Sequence, residues 1–302
     1  MYADTKGKPL TDSQLARVIS LVIPPAWTNV WICPSLSGHL QVTGRDQKGR
    51  KQAIYHPDWH RQRSVQKFDH LHDFGMALPK IRSHVQKELA TRGLSREKIL
   101  AAVVQLLDTT LIRIGNQRYE KENKSYGLTT LRNKHVNVVA DRLEFNFVGK
   151  SGKAQMITLK NRTLCSIVRK CQELPGQHLF TYMDSEGVAQ GVTSTEVNSF
   201  LQSISQEATT AKEFRTWGGT IEAVRLVRDM HPTTHRDVAA IVKGVAQKLG
   251  NTPAVCRAHY IHPVVLDLAK EKPWIHASLP RRRKYHDPME ILFLEKICRH
   301  GC

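Results

Sequence analysis

The sequence predicts an α+β protein, in which a small β-rich domain is followed by a mostly helical domain with a short β-hairpin sheet. Short β-prone runs broken by turn residues fill the first 75 positions. Helical periodicity begins near residue 80, and a few short strands interrupt the helices further on. A length of 302 residues allows two domains, which we place at residues 1–76 and 77–302.

The strands of the first domain are expected within residues 30–46, VWICPSLSGHLQVTGRD. Their β-prone runs are separated by two dipeptides that are typical of turns, Ser37-Gly38 and Thr43-Gly44. We therefore expect short strands with a turn at each dipeptide.

The end of the first domain is basic and aromatic. GRKQAIYHPDWHRQRS, residues 49–64, interleaves arginine and lysine with tyrosine and tryptophan. This composition suits either a solvated surface or contact with phosphates and bases, and the basic character of the whole chain favours the second interpretation. FGMALPK, residues 74–80, is expected to join the two domains, with Gly75 and Pro79 as chain breakers.

The second domain begins with helices. REKILAAVVQLLDTTLIRIGN, residues 96–116, is apolar around most of its circumference, which predicts a buried helix that ends near Gly115. Three strands with a tight turn at 149–152 are expected next, at residues 135–139, 142–150 and 154–160. Leu143, Phe145 and Phe147 alternate with polar residues, as in a strand with one buried face.

Helices are expected again in the last part of the chain. Thr234 and Gly250 are plausible caps for a helix near 235–249. Thr252 and Pro253 then predict the start of the next helix, because threonine is a good N-cap and proline fits the first turn.

The charge of the chain bounds its partners. It has 45 Lys+Arg against 27 Asp+Glu, a formal net charge of +18, which favours a polyanion and most simply nucleic acid. A membrane partner is not favoured, because the sequence has neither a long uncharged apolar run nor a strongly amphipathic basic helix at a terminus. The N-terminus, MYADTKGKPL, lacks the apolar core of a signal peptide, so we expect the chain in the cytosol.

The sequence lacks the common motifs for binding a metal or a nucleotide. Six cysteines are scattered without a CxxC pair, which indicates reduced thiols rather than a zinc site or a disulfide scaffold. Neither a Walker-type glycine loop nor a cluster of acidic residues is found. We therefore expect neither a metal nor a nucleotide cofactor.

Three side chains in the second domain have both an ordinary and a chemical interpretation. Tyr260, in CRAHYIHP, is either an aromatic packing residue or a nucleophile in a basic pocket. Arg113 ends the predicted apolar helix, where a guanidinium is costly unless it is paired or reaches a polar cleft. Lys150 lies at the tip of the hairpin VGKSGK, where exposed lysines are common.

Three more polar residues precede the tyrosine in sequence. Lys212 and Arg215, in AKEFRTW, are three residues apart and therefore share one face of a helix. Asn251 comes nine residues before Tyr260 and would by itself be taken as a turn residue.

Taken in this order, these motifs resemble the type IB DNA topoisomerases of the small poxvirus and bacterial kind. The matching segments are GHLQVTGRDQKGRKQ, TTLIRIGNQRYEKENKSYGLTTLRNKH, FVGKSGK, LFTYMDSEG, KEFRTWGGT and NTPAVCRAHYIHP, which span nearly the whole chain. The resemblance implies two domains that form a C-shaped clamp around duplex DNA. It also implies a monomeric, ATP-independent enzyme that relaxes supercoils and is associated with a bacterial nucleoid in the cytoplasm.

The resemblance also implies a role for each candidate residue. Tyr260 would attack a backbone phosphodiester, forming a 3′-phosphotyrosine and freeing a 5′-hydroxyl. Arg113 and Arg215 would hold the non-bridging oxygens. Lys150 would protonate the leaving 5′-oxygen, and Lys212 would assist that proton transfer.

Asn251 departs from the poxvirus pattern, which has histidine at this position. An amide can donate to a phosphate oxygen but does not titrate, so we expect an oxyanion contact only. The resemblance gives no role to His259 and His262, for which we expect either a surface position or packing behind the site. Trp217 is expected in the core beside Arg215.

The physical chemistry of these residue types fits the implied roles. A free tyrosine, with a pKa of about 10, is a poor nucleophile at neutral pH. Nearby arginine and lysine favour the phenolate and offset charge that grows in the transition state. Further side chains expected to contact DNA are Arg45, Arg50, Lys51, Tyr55, Tyr119 and Lys124.

Two other classes of protein stay open. A tyrosine recombinase shares the arginine, lysine and tyrosine chemistry, although recombinases usually carry H-x-x-R where this chain has K-x-x-R. A non-catalytic basic DNA-binding protein is the third class, and the full set of candidate groups argues against it.

Overall fold

The computed structural model of the chain describes residues 7–229, 238–269 and 279–300, with the backbone alone at 60–67, 69 and 296–300. Thr234, the expected helix cap, lies outside the described residues. By their contacts the residues divide into two compact units, 1–68 and 69–302. The domain boundary between residues 76 and 77 stays a prediction.

The first unit contains a helix and a three-stranded antiparallel sheet of order β1-β2-β3. These elements are α1 (Asp12–Ser20), β1 (Thr28–Ile32), β2 (Leu40–Arg45) and β3 (Lys51–Tyr55). Thr11 and Gln14 begin α1 with a capping box, in which each side chain bonds the other's backbone N–H. The expected turn at Ser37-Gly38 is confirmed.

The expected turn at Thr43-Gly44 is wrong, because both residues lie inside β2. Gly44 has a packing reason instead. A Cβ built on Gly44 would lie 2.8 Å from the ring of Trp27, so only glycine lets that ring lie against the strand.

The second unit is mostly helical, which together with the sheets confirms the α+β class. Helix α2 (Pro57–Ala90) contains the division between the two units. The elements that follow it are α3 (Arg96–Thr110), α4 (Gln117–Asn123), β4 (Val136–Val139), β5 (Arg142–Val148), β6 (Ala154–Lys160), α5 (Arg162–Gln172), β7 (Thr181–Met183), β8 (Ala189–Gly191), α6 (Ser194–Ser205), α7 (Ala211–Asp229), α8 (Val238–Leu249), α9 (Pro253–His259), α10 (Pro263–Leu268) and α11 (Pro288–His300). Strands β4-β5-β6 and β7-β8 form two antiparallel sheets.

The expected chain break at residues 74–80 is wrong, because this stretch lies within α2. Gly75 leaves room for the ring of Trp217, which a Cβ would strike. Pro79 has no N–H for the Gly75 carbonyl four residues earlier, and the His286 Nε2–H donates to that carbonyl at 2.9 Å instead. A side chain from elsewhere in the unit therefore replaces the lost helical hydrogen bond.

The sheet β4-β5-β6 carries its side chains as expected. Leu143, Phe145 and Phe147 are buried, and the residues between them are exposed. Helix α5 contacts β4 and β5. The turn between β5 and β6 lies at Lys150–Gly152, as the sequence predicts.

A buried ionic network joins four helices of the second unit. Arg82 of α2 bonds both carboxylate oxygens of Asp108 on α3 and both of Glu290 on α11. Glu290 also accepts from the indole N–H of Trp217 on α7 at 2.9 Å. Both carboxylates pair with the single Arg82 guanidinium, and Glu290 is the most buried of the three, so breaking its bonds would leave a buried charge without a partner.

A helix needs about 20 mostly apolar residues to cross a membrane. Over the part of the chain that the structure describes, every helix is too short or too polar to span one.

Candidate active site

Tyr260 caps the C-terminus of the short helix α9. As predicted, Thr252 is the N-cap, accepting from the Val255 N–H, and Pro253 occupies the first turn. The Tyr260 N–H donates to the Cys256 carbonyl at 2.9 Å. The backbone of the tyrosine is therefore fixed by the helix that precedes it.

Helix α7 packs directly against the tyrosine segment. A Cβ on Gly219 would lie 2.6 Å from the Tyr260 carbonyl oxygen and 3.2 Å from the Tyr260 Cβ. The Thr220 hydroxyl donates to the same carbonyl at 3.4 Å and accepts from the His262 N–H at 3.1 Å. Glycine weakens a helix interior, and here its small size permits the close approach of the tyrosine.

Arg215 lies on α7 and is buried, with 6% of its surface exposed. Its guanidinium donates to the carbonyls of Leu111 and Leu249, which follow α3 and end α8. Such carbonyls lack helical partners and carry the negative end of the helix dipole, so a cation is stabilised there. The guanidinium carbon lies 5.5 Å from the centre of the Tyr260 ring.

Arg113 lies in a loop, so its expected place at the end of a helix is wrong. Helix α3 ends at Thr110, five positions before Gly115, because Leu111 takes the left-handed conformation with a φ of 55°. Beyond it the chain is extended and pairs with a neighbouring segment, since the Leu128 N–H donates to the Arg113 carbonyl at 2.9 Å. This change of direction carries Arg113 toward the tyrosine segment.

Asn251 joins Arg113 to the start of α9. The Arg113 guanidinium donates to the Asn251 Oδ1 at 2.5 Å. Since a guanidinium can only donate, this bond fixes which end of the amide is the oxygen. The Asn251 Nδ2 is buried and has no hydrogen-bond partner among the described residues. The site therefore contains an unused donor.

The charges around Tyr260 change its acidity. Burial alone would raise the pKa of Tyr260, but the positive charges of Arg215 and Arg113, with a smaller effect from Lys150, outweigh it and lower that pKa below its ordinary value of 10.0. Burial and the like charge of Arg113 lower the pKa of Arg215 to about 10. At neutral pH Arg215 stays charged, and the phenol is easier to ionise than a free tyrosine.

The two candidate lysines are placed differently. Lys150 is exposed at the β5–β6 turn and close enough to Tyr260 to lower the pKa of the phenol. Lys212 is exposed in the first turn of α7, one helical turn before Arg215. Among the described residues, Lys212 makes no hydrogen bond with Tyr260. The structure thus brings Tyr260, Arg113, Arg215, Asn251 and Lys150 together and leaves Lys212 at the edge.

Three of the expected DNA-contacting residues of the first unit surround the β2–β3 turn. Arg45 and Lys51 are exposed and directly opposite on neighbouring strands, a like-charge pair that favours an anion as partner. Arg50 bonds Asp46 and lowers the pKa of that carboxyl. Tyr55 lies at the other end of β3 and is 37% exposed.

The remaining candidates lie on α4 in the second unit. Tyr119 is 56% exposed, and Lys124 is the exposed C-cap, in the left-handed conformation. Lys124 borders a 440 Å³ cavity with Arg132 and Lys134, and Arg132 pairs there with the buried Glu120 at 3.0 Å. Basic residues outnumber acidic ones in the lining of this cavity, and the contact of Tyr119 and Lys124 with DNA stays a prediction.

Trp217 lies in the core as expected, and the two histidines beside the tyrosine differ in exposure. Trp217 is 2% exposed and contacts the ring of Phe293. His262 is the N-cap of α10, and its Nδ1 accepts from the Val264 N–H at 3.2 Å. His259 ends α9 and is exposed.

Sequence reasoning missed three residues that shape the site. Gly219 and Thr220 hold the tyrosine segment, and their only signal in the sequence is the unusual Gly-Gly-Thr run inside a helix. Cys256 is fully buried four positions before Tyr260, on the same face of α9. Burial raises the pKa of the Cys256 thiol despite nearby cations, so it stays protonated.

A phenol of lowered pKa beside two guanidinium groups, an amide donor and a lysine defines a class of protein. It suits an enzyme in which tyrosine attacks a phosphodiester, since each group can offset charge on the reacting phosphate. The chain belongs to the type IB DNA topoisomerase family. A model described as "Eukaryotic DNA topoisomerase I, catalytic core" matches residues 50–273, and one described as "Bacterial DNA topoisomerase IB, N-terminal domain" matches residues 1–46.

Individual relatives agree with the family models. DNA topoisomerase 1B of Acanthamoeba polyphaga mimivirus is 28% identical over 303 residues, covering 96% of this chain and 89% of the relative. DNA topoisomerase 1B of Vaccinia virus (strain Copenhagen) is 23% identical over 246 residues, covering 78% and 74%. A solved structure of XerH site-specific recombinase bound to difH substrate is 15% identical, with a TM-score of 0.39. The match covers 62% of this chain and 49% of that structure's chain.

Proposed function

We propose that this protein relaxes supercoiled duplex DNA by cutting and resealing one strand. Tyr260 gives up its phenolic proton and its oxygen attacks a backbone phosphorus, forming a 3′-phosphotyrosine. The bond from phosphorus to the 5′-oxygen breaks, and that oxygen takes a proton and leaves as a hydroxyl. The free strand rotates, and the 5′-hydroxyl then reverses the step. Because the phosphotyrosine conserves the energy of the broken bond, the cycle needs no ATP.

The pocket around the phenol is the observation that carries this proposal. Arg113 and Arg215 hold the two non-bridging oxygens, where negative charge increases in the transition state. The buried, unpartnered Nδ2 of Asn251 supports its role as a neutral donor to the same oxygens. The buried Nε of Arg215, which has no hydrogen-bond partner among the described residues, is a further free donor.

The two lysines of the proposal act on the leaving 5′-oxygen. Lys150, at the tip of the hairpin, is the general acid that protonates the 5′-oxygen. This role is supported by the effect of Lys150 on the pKa of Tyr260, which shows that the two residues are close. Lys212 lies one helical turn from Arg215 and assists this proton transfer once DNA is bound. The cationic groups supply the charge that a metal ion supplies elsewhere, so we expect activity in EDTA.

Both units contribute to DNA binding in this proposal. The +18 charge and the match to a bacterial topoisomerase N-terminal domain support a two-domain clamp that closes around the duplex. The contacts come from Arg45, Arg50, Lys51, Tyr55, Tyr119 and Lys124. All catalytic groups belong to one chain, which supports a monomer as the active form. A DNA substrate supports the proposal that the protein acts at the nucleoid in the bacterial cytoplasm.

The deciding experiment replaces Tyr260 by phenylalanine. Wild-type protein, incubated in EDTA with a supercoiled plasmid that has no recombination sites, should give a ladder of relaxed topoisomers. Tyr260→Phe should bind the plasmid and relax none of it. Tyr182→Phe is the matched control, because it removes a hydroxyl that bonds Glu196 at 3.5 Å, and should relax normally. Normal relaxation by Tyr260→Phe would refute the mechanism.

A denaturing gel of protein with end-labelled duplex gives a second readout. The wild type should retain a strand covalently, and the adduct should map to the peptide that contains Tyr260. Products that require two specific sites would instead identify a recombinase, and no adduct at all would indicate a protein that only binds DNA.

A further inference from the structure

The tip of the β5–β6 hairpin gives Lys150 little support of its own. Lys150 is exposed, and its side chain makes no hydrogen bond with the other described residues. Ser151 and Gly152, which follow it, both have positive φ angles, 64° and 72°. A flexible lysine on such a turn needs another contact to stay close to Tyr260.

The next lysine, Lys153, supplies a contact between the hairpin and the loop before α9. Its Nζ donates to the Gly250 carbonyl at 3.4 Å. The backbone carbonyl of Lys153 also accepts from the Gly149 N–H at 2.8 Å, closing the turn that carries Lys150. One residue therefore contacts both the turn and the loop.

Packing at Gly250 strengthens this contact. Gly250 has a φ of 62°, and a Cβ there would lie 3.2 Å from the Gln155 Nε2 on β6. Glycine thus lets the hairpin approach closely. Asn251, bonded to Arg113, is the next residue, so the hairpin rests on the loop that carries an oxyanion contact. The charge of Lys153 also acts on the Cys256 thiol inside the site.

We propose that Lys153 is a positioning residue for strand cleavage. Its ammonium group holds the hairpin against the Gly250 carbonyl and thereby keeps Lys150 at the leaving 5′-oxygen. The inference rests on the proposed role of Lys150 as general acid. It differs from a direct phosphate contact, which would change DNA affinity and act on every substrate alike.

The test compares oxygen and sulfur at the 5′-bridging position of the cleaved bond. A sulfur leaving group departs as a thiolate and needs no proton, because a thiol has a pKa of only about 8.5. Single-turnover cleavage is measured on both duplexes, after the cleavage site has been mapped. Lys150→Ala should slow the oxygen substrate by about 10²–10⁴-fold, the usual contribution of a general acid, and should cleave the sulfur substrate normally.

Lys153→Met should behave like a weaker form of Lys150→Ala. We expect cleavage of the oxygen substrate to slow about tenfold or more, since small misplacements have large effects on rate, with the sulfur substrate unaffected. The double variant should be no slower than Lys150→Ala alone, because the two residues act as one unit. Lys153→Arg, which keeps a donor, should restore most of the rate.

Lys160→Met is the matched control. Lys160 is an exposed lysine at the far end of β6, the strand that follows Lys153, and is paired with Asp141 at 3.3 Å; its loss should leave both substrates unchanged. Equal slowing of both substrates by Lys153→Met, no slowing of either, or an additive double variant would each overturn the inference. Failure of sulfur to rescue Lys150→Ala would refute the proposed role of Lys150 itself.

Discussion

At the scale of single residues, the chemistry of Tyr260 depends on competition between burial and charge. Burial disfavours the phenolate, and the arginines beside it favour it more strongly, so the pKa falls. A guanidinium suits this purpose because it stays charged at any pH the protein meets, even for Arg215, whose pKa is lowered to about 10.

Removal of one of these cations should therefore raise the pKa of the Tyr260 phenol. Arg113→Met takes away a positive charge that stabilises the phenolate, so the pKa of Tyr260 should rise. Cleavage should slow about 10²–10³-fold, as when one oxyanion donor is lost, and the rise of the remaining rate with pH should move to higher pH. Tyrosinate absorbance, measured as a difference from Tyr260→Phe, reports the same pKa.

Arg118→Met is the control for this prediction, because Arg118 is exposed and pairs with Glu122. Arg118→Met should change neither the pKa found by the absorbance titration nor the pH dependence of cleavage. An unchanged titration in Arg113→Met would show that Arg113 does not stabilise the phenolate.

At the scale of elements, helix α7 is the support on which the tyrosine segment rests. Gly219→Ala should favour the isolated helix by about 1 kcal/mol. Its Cβ would nevertheless meet the Tyr260 backbone, which must then move away. We expect a folded protein whose cleavage rate is about 10²-fold lower, as follows from a displacement near 1 Å.

Gly244→Ala in α8 is the comparison for this variant. Its Cβ would meet only the end of the Leu226 side chain, at 2.7 Å, which can rotate away. Circular dichroism should show both variants folded, and single-turnover assays should show a loss in Gly219→Ala alone. Wild-type cleavage by Gly219→Ala would mean that the tyrosine segment does not need this close approach.

The sequence predicted those elements whose cause is local. The caps at Thr252, Pro253 and Gly250 and the alternation on β5 depend on neighbouring residues, and they are confirmed. The break expected at Gly75 and Pro79 depends on long-range partners. Trp217 and His286 come from more than a hundred residues away to fill and bond that part of α2, and local rules contain no trace of them.

The site was predictable in its residue types but not in its geometry. Order and spacing identified Tyr260 and its cationic partners through a resemblance. The loop position of Arg113 follows from the left-handed Leu111, and leucine has no local preference for that conformation. Likewise, the orientation of the Asn251 amide follows from a bond to a residue 138 positions away in sequence.

At the scale of the whole molecule, the buried network around Glu290 should make stability depend on pH. Burial alone would raise the pKa of Glu290, but bonds and charge from Arg82 and the bond from Trp217 lower it. A carboxyl whose pKa is lowered on folding contributes stability above its unfolded pKa, about 4.3. That contribution is lost as pH falls through the folded value.

Glu290→Gln tests this dependence. Loss of the charge should lower the free energy of unfolding at pH 7 by about 2–3 kcal/mol. The difference from wild type should shrink as the pH is lowered below 4. Urea unfolding at both pH values measures it, with Glu122→Gln, an exposed pair partner, expected to change stability little. A constant difference at all pH values would contradict the assignment.

The net charge of +18 should appear in how DNA binding responds to salt. Each phosphate contact releases a counterion, so a protein with 6–10 such contacts loses about 10³–10⁵-fold in affinity between 50 and 200 mM salt. Tyr260→Phe allows the affinity for DNA to be measured by fluorescence anisotropy without cleavage.

In the same background, Arg45→Met with Lys51→Met should reduce the slope of log affinity against log salt concentration by about two, one for each phosphate contact. Lys160→Met, which removes a lysine paired with Asp141, should leave the slope unchanged. Affinity that does not vary with salt would show that DNA is held by something other than its phosphates.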